Sequence, residues 1–171
     1  MVRVREELPG DIEAIRSVNI HAFGRTQEAD LIDELRRNCS DMLSLVAVKQ
    51  YEIVGHILFS PVIVKIKDNT TTRGMGLAPL AVRPEHQHQG IGSELIRVGI
   101  ATLKSRLCPF IIVLGHPKYY PRFGFERASR YGIRSEWQAP DEAFMILLLD
   151  ESEMRNVSGV AKYRPEFAEA L

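Results

Sequence analysis

One stretch of this 171-residue sequence has the residue types and spacing to bind an anion: Gln87-His88-Gln89-Gly90-Ile91-Gly92-Ser93, which lies between an apolar run and a segment with helical spacing. The first turn of a helix leaves backbone N–H groups without intrahelical partners, and the helix dipole places partial positive charge there. Gly90 and Gly92 carry no Cβ, so a bulky anion can approach the main chain closely. The stretch therefore predicts a diphosphate cradle built mostly from backbone amides, to which Ser93 adds a hydroxyl.

A pair of glycines before a helix is also typical of a tight turn that binds nothing, because short glycine motifs are weak signals. Two nucleotide motifs do not fit the stretch. It has no Gly-Lys-Ser/Thr of a P-loop, and the three-glycine dinucleotide fingerprint is incomplete. ATP and NAD are therefore weakly supported as ligands.

Gln87-x-x-Gly90-x-Gly92, entered from an apolar strand, resembles the acetyl-CoA signature of the GCN5-related N-acetyltransferases (GNAT): Gln or Arg, two residues, Gly, one residue, Gly or Ala. Two longer blocks, LAPLAVRPEHQHQGIGSELI at 77–96 and VLGHPKYYPRFGF at 113–125, resemble the YhbS-type bacterial members of that superfamily. The resemblance covers nearly the whole chain. It implies a GNAT fold and an acetyltransferase with acetyl-CoA as co-substrate.

The resemblance assigns roles to residues around the cradle. In the family the pantetheine arm of the cofactor pairs with the strand before the loop, and Leu80, Ala81 and Val82 match that strand. A backbone N–H there, of Ala81 or Leu80, is expected to bind the developing oxyanion. Ala78-Pro79 is compatible with the bulge that the family usually has in this strand. The expected cofactor contacts are Leu80, Ala81, Val82, Gln87, His88, Gln89, Gly90, Ile91, Gly92, Ser93, Tyr120 and Phe123.

The resemblance also supplies a general acid, because Tyr120 matches the tyrosine of the family's Tyr-x-x-x-Gly-Phe block. A phenol with a pKa of about 10 stays protonated at neutral pH and can donate to the leaving thiolate. The residues alone leave open that Tyr119 and Tyr120 are only core aromatics. For the base that deprotonates the amine the candidates are Glu28, on the helices expected to cover the substrate, and His116, just past a core strand; a water chain is the alternative.

One departure from the family concerns the position seven residues before the catalytic tyrosine. Many members have Asn there, on a full helix, whereas this sequence has Val113, and Gly115-His116-Pro117 leaves room only for a short helix at 118–123. This departure affects the geometry expected at Tyr120 and leaves the cofactor site unchanged.

The elements that position these residues follow from hydrophobic periodicity. The helix over about 90–107 joins the strand that precedes the loop to the apolar strand at 110–114, so those two strands are expected to be parallel. Pro61 predicts a bulge, a bend or an edge, because proline donates no ladder hydrogen bond. The pattern predicts strands at 2–5, 43–48, 53–66, 72–82, 110–114, 131–134, 143–149 and 159–163, helices at 12–22, 27–38 and 90–107, and a turn at 67–70.

The predicted fold class is therefore α+β, a single GNAT domain over residues 1–171. Its central sheet is mixed and mostly antiparallel, with a parallel, splayed strand pair at residues 77–82 and 110–114 and helices on both faces. A chain of this length can bury a core without disulfides or metals.

The amino-acid composition limits the classes of binding partner that are expected for this chain. The 22 Lys and Arg residues balance the 22 Asp and Glu residues, which argues against nucleic acid or an anionic membrane as partner. Cys39 and Cys108 lack ligand spacing and are expected to be free thiols, and the N-terminus has no apolar signal core, so the sequence predicts a cytoplasmic protein. His86 and His88 are not at helical ligand spacing, and we predict no metal site. A homodimer is a general expectation.

The leading functional interpretation is an acetyl-CoA-dependent N-acetyltransferase acting on a primary amine of a small molecule or a protein. Two alternatives stay open. One is another acyl donor or acceptor on the same scaffold, and the other is a catalytically silent CoA-binding sensor or interaction module. The acceptor is expected to be chosen by the helices at 12–38 and the segment 126–142.

Overall fold

The computed structural model describes residues 1–66 and 69–170, and in these residues nine strands and four α-helices follow the predicted order closely. The strands are β1 (Val2–Glu6), β2 (Leu43–Lys49), β3 (Glu52–Lys65), β4 (Thr71–Val82), β5 (Phe110–Leu114), β6 (Glu126–Arg127), β7 (Ile133–Ser135), β8 (Phe144–Leu148) and β9 (Gly159–Lys162). The helices are α1 (Ile12–Phe23), α2 (Gln27–Asn38), α3 (Ile91–Ser105) and α4 (Glu166–Ala170).

Strongly periodic segments have the predicted bounds within one or two residues. In α2 the residues at helical spacing, Leu31, Ile32 and Leu35, are buried, which is why an amphipathic helix forms there. Helix α1 ends at Gly24, whose φ of 69° suits a residue without a Cβ and whose N–H donates to the Ile20 carbonyl. The pattern does not predict β6 or α4, because two and five residues are too short to show a period.

The described chain divides into two compact units, and the first contains Met1–Phe59, Ala78–Ala101 and the chain from Pro165. Here β1 pairs antiparallel with β2, and β2 pairs antiparallel with β3 from Leu43↔Phe59 to Lys49↔Glu52. A Cβ on Gly55 would lie 3.1 Å from both Ile91 and Leu95. The absence of that atom lets the first turns of α3 pack closely on β3.

A bulge in β3 connects this sheet to the loop that follows β4. The register passes from Ala47↔Gly55 to Val48↔Ile53, which leaves Val54 as an extra residue. Its carbonyl accepts a hydrogen bond of 2.9 Å from the Arg83 N–H. This bond holds the first residue after β4 against β3, and with it the start of the loop.

The second unit contains Ser60–Leu77 and Thr102–Arg164. Strand β4 pairs parallel with β5 at Met75↔Ile111 and Gly76↔Ile112, and β5 pairs antiparallel with β8 along its whole length. The apolar strand β5 is fully buried from Phe110 to Val113, as expected for a strand covered on both faces. In addition, β6 pairs with β8, and β9 pairs with β3 and with β7.

The predicted mixed, mostly antiparallel sheet with a parallel pair joined by a helix is confirmed, and along the sheet the order is β1-β2-β3-β4-β5-β8-β6. A second parallel pair joins β7 to β9. The register corrects the position of the pairing between β4 and β5. It lies at Met75 and Gly76, before the predicted 77–82 segment, because β4 already begins at Thr71. The splay beyond Leu77 stays a prediction, as does the single domain.

Pro61 marks a change of partner on one edge of β3. That edge pairs with β2 as far as Phe59 and with β9 from Ile63 onward. Pro61 therefore lies between the two pairings on this edge.

Three smaller predictions complete the comparison. Cys39 and Cys108 are free, as predicted. The predicted turn at 67–70 includes Lys67 and Asp68, which lie outside the described residues. Within residues 1–66 and 69–170, no helix has the length and apolar character needed to cross a membrane.

Candidate active site

The predicted cradle is a short, tightly hydrogen-bonded connection between β4 and α3, and it lies in the first unit. A single turn of 3-10 helix, Pro84–His86, follows Arg83, and the His86 N–H donates to the Arg83 carbonyl at 2.8 Å. His88 and Gly90 then have positive φ values of 62° and 83°. A Cβ on Gly90 would meet no atom within 4 Å, so the backbone there faces open space. The glycine is required by its backbone conformation, and the space beside it is available to a ligand.

The first turn of α3 contains the amides that the sequence predicts for the anion site, and their role in binding stays a prediction. The Glu94 N–H donates to the Gly90 carbonyl at 3.0 Å, and this bond begins the helical pattern. The amides of Ile91, Gly92 and Ser93 precede it, and such amides at a helix start form an anion site. The Ile91 side chain is buried, with an exposed fraction of 3%, so its predicted cofactor contact can come only from the main chain.

The glutamines of the loop bind the loop to its neighbours. Gln87 Nε2 donates to the Val82 carbonyl at 3.0 Å, which ties the signature glutamine to the last residue of β4. Gln89 Nε2 donates to the Glu85 carbonyl at 3.5 Å, and Gln89 Oε1 accepts from Lys49 Nζ at 3.1 Å. All three residues from Gln87 to Gln89 are exposed. The side chains of Gln87 and Gln89 therefore brace the loop, while its surface stays open to solvent.

The strand expected to bind the pantetheine arm alternates in burial. The Ala81 side chain is buried, whereas Leu80 and Val82 are half-buried. The Ala78-Pro79 peptide bond is cis, and the bulge expected there stays a prediction. The roles of Leu80, Ala81 and Val82 in cofactor and oxyanion binding stay predictions.

Tyr120 lies in the second unit, in a 3-10 turn (Tyr120–Phe123) that ends at Gly124 with φ 97°. Its ring is buried edge-on against Tyr119 and Phe125, at centroid distances of 5.2 and 5.7 Å. Gly115 makes room for it, because a Cβ there would lie 2.4 Å from Tyr120 Cε2. Burial, and to a lesser extent Tyr119, raises the pKa of the Tyr120 phenol well above its ordinary value.

The environment of Tyr120 keeps its phenol protonated. Because burial raises the pKa of Tyr120 above its ordinary value, the phenol is protonated at neutral pH. Among the described residues its hydroxyl has no hydrogen-bond partner. The ring centroids of Phe123 and Tyr119 are 5.4 Å apart, and the Arg122 guanidinium lies 4.6 Å from the centre of the Tyr119 ring. The departure noted at Val113 is structural, since this residue is inside β5 opposite Met145.

Both candidate bases already have partners. Glu28, in the first unit, accepts hydrogen bonds from Arg25 Nε at 2.6 and 3.0 Å. Both oxygens of this carboxylate therefore already have a partner. In the second unit, His116 Nδ1 accepts from the Lys118 N–H at 3.2 Å. A neutral ring bonded in this way carries its proton on Nε2, so it can accept a proton only by losing that bond. Both assignments stay predictions.

Two contacts at the loop are not predictable from the sequence. Lys49 reaches Gln89 from a position 40 residues earlier in the chain. Arg83 also donates from Nη2 to Ser17 Oγ at 3.3 Å, which links the start of the loop to α1. No motif signals either contact, because each joins segments that only the folded sheet brings together.

Comparison with known proteins identifies the relatives of this chain. The family model for the acetyltransferase (GNAT) domain matches residues 3–128. The uncharacterized N-acetyltransferase YhbS of Escherichia coli K12 is 32% identical over 165 residues, which are 96% of this chain and 97% of YhbS. The uncharacterized N-acetyltransferase YjhQ of the same strain is 42% identical over 135 residues, which are 77% of this chain and 74% of YjhQ.

Two solved structures share the fold along nearly the whole chain. The crystal structure of E. coli YhbS in complex with CoA has a TM-score of 0.91 and 30% sequence identity, and the match covers 98% of this chain and 92% of that one. A GNAT family acetyltransferase from Brucella melitensis, in complex with acetyl-CoA, has a TM-score of 0.79 and 31% identity, with 98% of both chains covered.

Proposed function

This chain belongs to the GNAT family of acetyltransferases, and we propose that it transfers the acetyl group of acetyl-CoA to a primary amine by direct attack in a ternary complex. The acceptor is an amine of a small molecule or of a protein. The observation that carries the proposal is the connection between β4 and α3, where open space beside Gly90 adjoins the amides that begin the helix. That arrangement suits the diphosphate of CoA.

The reaction forms one bond and breaks one. The amine nitrogen attacks the thioester carbonyl carbon, the C–N bond forms, and the C–S bond breaks. During attack the carbonyl oxygen gains negative charge, and we assign its stabilisation to the backbone N–H of Ala81 or Leu80. The thiolate of CoA leaves and takes a proton, and we assign Tyr120 as the donor, because burial keeps its phenol protonated.

The amine must be neutral when it attacks, because an alkylammonium ion has no lone pair. An alkylamine has a pKa of about 10, so a base or a water chain must remove a proton first. Glu28 and His116 are the side-chain candidates. The Glu28 carboxylate already accepts from Arg25, and Nδ1 of His116 already accepts from the Lys118 N–H. A water chain that leads from the amine is the alternative.

The test of the proposed function begins with CoA binding by calorimetry and continues with turnover. Tyr120→Phe should bind CoA as the wild type does and lose about 100-fold or more in kcat, the range expected for loss of a general acid. Tyr119→Phe is the matched control, because it removes the neighbouring hydroxyl and should retain most of the activity. Equal losses in the two variants would overturn the role of Tyr120.

The acceptor is found by incubating the protein and acetyl-CoA with a pool of amines and reading the mass added by one acetyl group. The pool should contain amino acids, polyamines, aminoglycosides and peptides with free N-termini. Turnover of any of them supports the proposal. CoA binding without turnover of any amine supports the silent sensor, and absence of CoA binding refutes the whole assignment.

A further inference from the structure

The loop that is to hold the cofactor phosphates has the wrong formal charge for an anion site. Residues 84–94 contain Glu85 and Glu94 and no lysine or arginine. Backbone amides offset part of a bound phosphate's charge, but two carboxylates beside a diphosphate disfavour it. The positive charge that such a site needs must come from elsewhere in the chain.

The two arginines that flank the loop are already placed at these carboxylates. Arg83 Nη1 lies 4.0 Å from Glu85 Oε1, and Arg97 Nη1 lies 3.9 Å from Glu94 Oε2. These pairs bring the loop close to neutrality. They leave the charge of a bound diphosphate without a cation of its own.

Lys49 provides a cation at the loop from the end of β2. Its Nζ donates to Gln89 Oε1 at 3.1 Å, and this acceptor is a neutral amide that does not neutralise the ammonium group. Glu52 lies opposite Lys49 in the strand pair. The direction of the side chain follows from the strand. Alternate residues share a face, so Lys49 lies on the face of Ala47, whose Cβ faces Gly55, where Ile91 and Leu95 of α3 pack.

From these contacts we propose that Lys49 is a cofactor-binding residue, whose ammonium group beside Gln89 holds a phosphate of CoA at the mouth of α3. The inference rests on the proposed function, since it assumes that CoA binds at this loop. Gln89 acts as a positioning residue that aims Lys49. The phosphate is either part of the diphosphate or the 3′-phosphate, and the chemistry of the contact is the same for both.

The experiment compares the affinity for CoA of the wild type, Lys49→Gln, Lys49→Arg and Lys104→Gln by calorimetry. Lys49→Gln should weaken binding about fivefold, the effect of one partly exposed charge contact, and Lys49→Arg should restore most of the affinity. Lys104→Gln removes the same charge near the other end of α3 and should bind as the wild type does. The fivefold difference should shrink at high ionic strength, because salt screens exposed charges.

Two CoA analogues show which phosphate Lys49 contacts. With dephospho-CoA, which lacks the 3′-phosphate, a retained effect assigns Lys49 to the diphosphate, and a lost effect assigns it to the 3′-phosphate. With acetylpantetheine as acyl donor, which has no phosphate, kcat/KM should be equal in Lys49→Gln and the wild type.

Two results would overturn the inference while the proposed function stands: wild-type affinity of Lys49→Gln for CoA, or an equal loss with acetylpantetheine. A wild-type protein that binds no CoA refutes the proposed function itself. The melting temperature of each variant is the control for folding, and we expect it to equal that of the wild type because Lys49 is half-exposed.

Discussion

Acid should destabilise this protein through one buried histidine, His56 in β3. The residue has no solvent exposure. Asn19 Nδ2 lies 3.2 Å from its Nδ1 and 3.0 Å from the Ile15 carbonyl, so the amide donates to both. The ring therefore accepts at Nδ1 and carries its proton on Nε2, which donates to Ser44 Oγ at 2.9 Å.

The same chain of hydrogen bonds continues to a charged pair. Ser44 Oγ donates to Glu7 Oε1 at 3.0 Å, and Arg36 Nη2 donates to that oxygen at 2.6 Å. A second proton on His56 would be on Nδ1, where it would meet the N–H₂ group of Asn19, which is also a donor. Rotating the Asn19 amide would not help, because its oxygen would then face the Ile15 carbonyl, which is also an acceptor. The arrangement therefore admits only the neutral ring.

The size of the effect follows from the pKa. Burial, with a smaller contribution from the Arg36 charge, lowers the pKa of His56 from 6.5 to about 3. Above pH 6.5 the ring is neutral in the folded and the unfolded chain. Below it the unfolded chain binds a proton that the folded chain refuses, so stability falls with falling pH by about 1.4 kcal/mol per unit. Between pH 7 and pH 5 the loss should be about 2 kcal/mol.

Urea denaturation at pH 7, 6 and 5 measures this loss. The free energy of unfolding of the wild type should fall by about 2 kcal/mol more than that of His56→Gln, in which no group titrates at this position. His21→Gln, on the exposed side of α1, controls for the removal of a histidine and should behave as the wild type. If the wild type and His56→Gln lose stability in parallel, the ring is not buried as a neutral base and the reasoning fails.

Two glycines give further predictions. Gly99→Ala should cost about 1–3 kcal/mol of unfolding free energy, because its Cβ would lie 2.4 Å from the Phe59 ring. Gly10→Ala is the control, because a Cβ there would meet no atom within 4 Å. Equal stability of the two variants in urea would contradict the packing of Phe59 on α3. Gly90→Ala should lower the unfolding free energy by about 1 kcal/mol and weaken CoA binding, because φ is 83° there. Gly90→Asn should lose less of both, because asparagine tolerates a positive φ better than alanine. If calorimetry finds that Gly90→Ala binds CoA as tightly as the wild type, the conformational need for glycine is refuted.

Many elements of the fold can be predicted from local patterns in the sequence. Helix α2 has the predicted bounds because its apolar residues recur at helical spacing, and β5 has its bounds because an unbroken apolar run lies between Pro109 and Gly115. The short strand β6 exists only because β8 offers it a partner, at Glu126↔Ile146. Such elements depend on a neighbour that is distant in the chain, so periodicity does not reveal them.

The site divides in the same way. The loop from Gln87 to Ser93 is readable because the residues that form it are consecutive, and the candidate bases are readable only as residue types. Their partners, Arg25 at Glu28 and the Lys118 N–H at His116, are local contacts, but the geometry that makes them is visible only in the structure.

By itself the sequence determined the family, the order of the elements and the position of the glycine loop before α3, since each depends on residues close together in the chain. Tertiary structure decided the parallel register at Met75 and Gly76, the neutral state of His56 and the contact of Lys49 with Gln89. These features arise where strands pair and helices pack, and there the free energy depends on which distant residues meet.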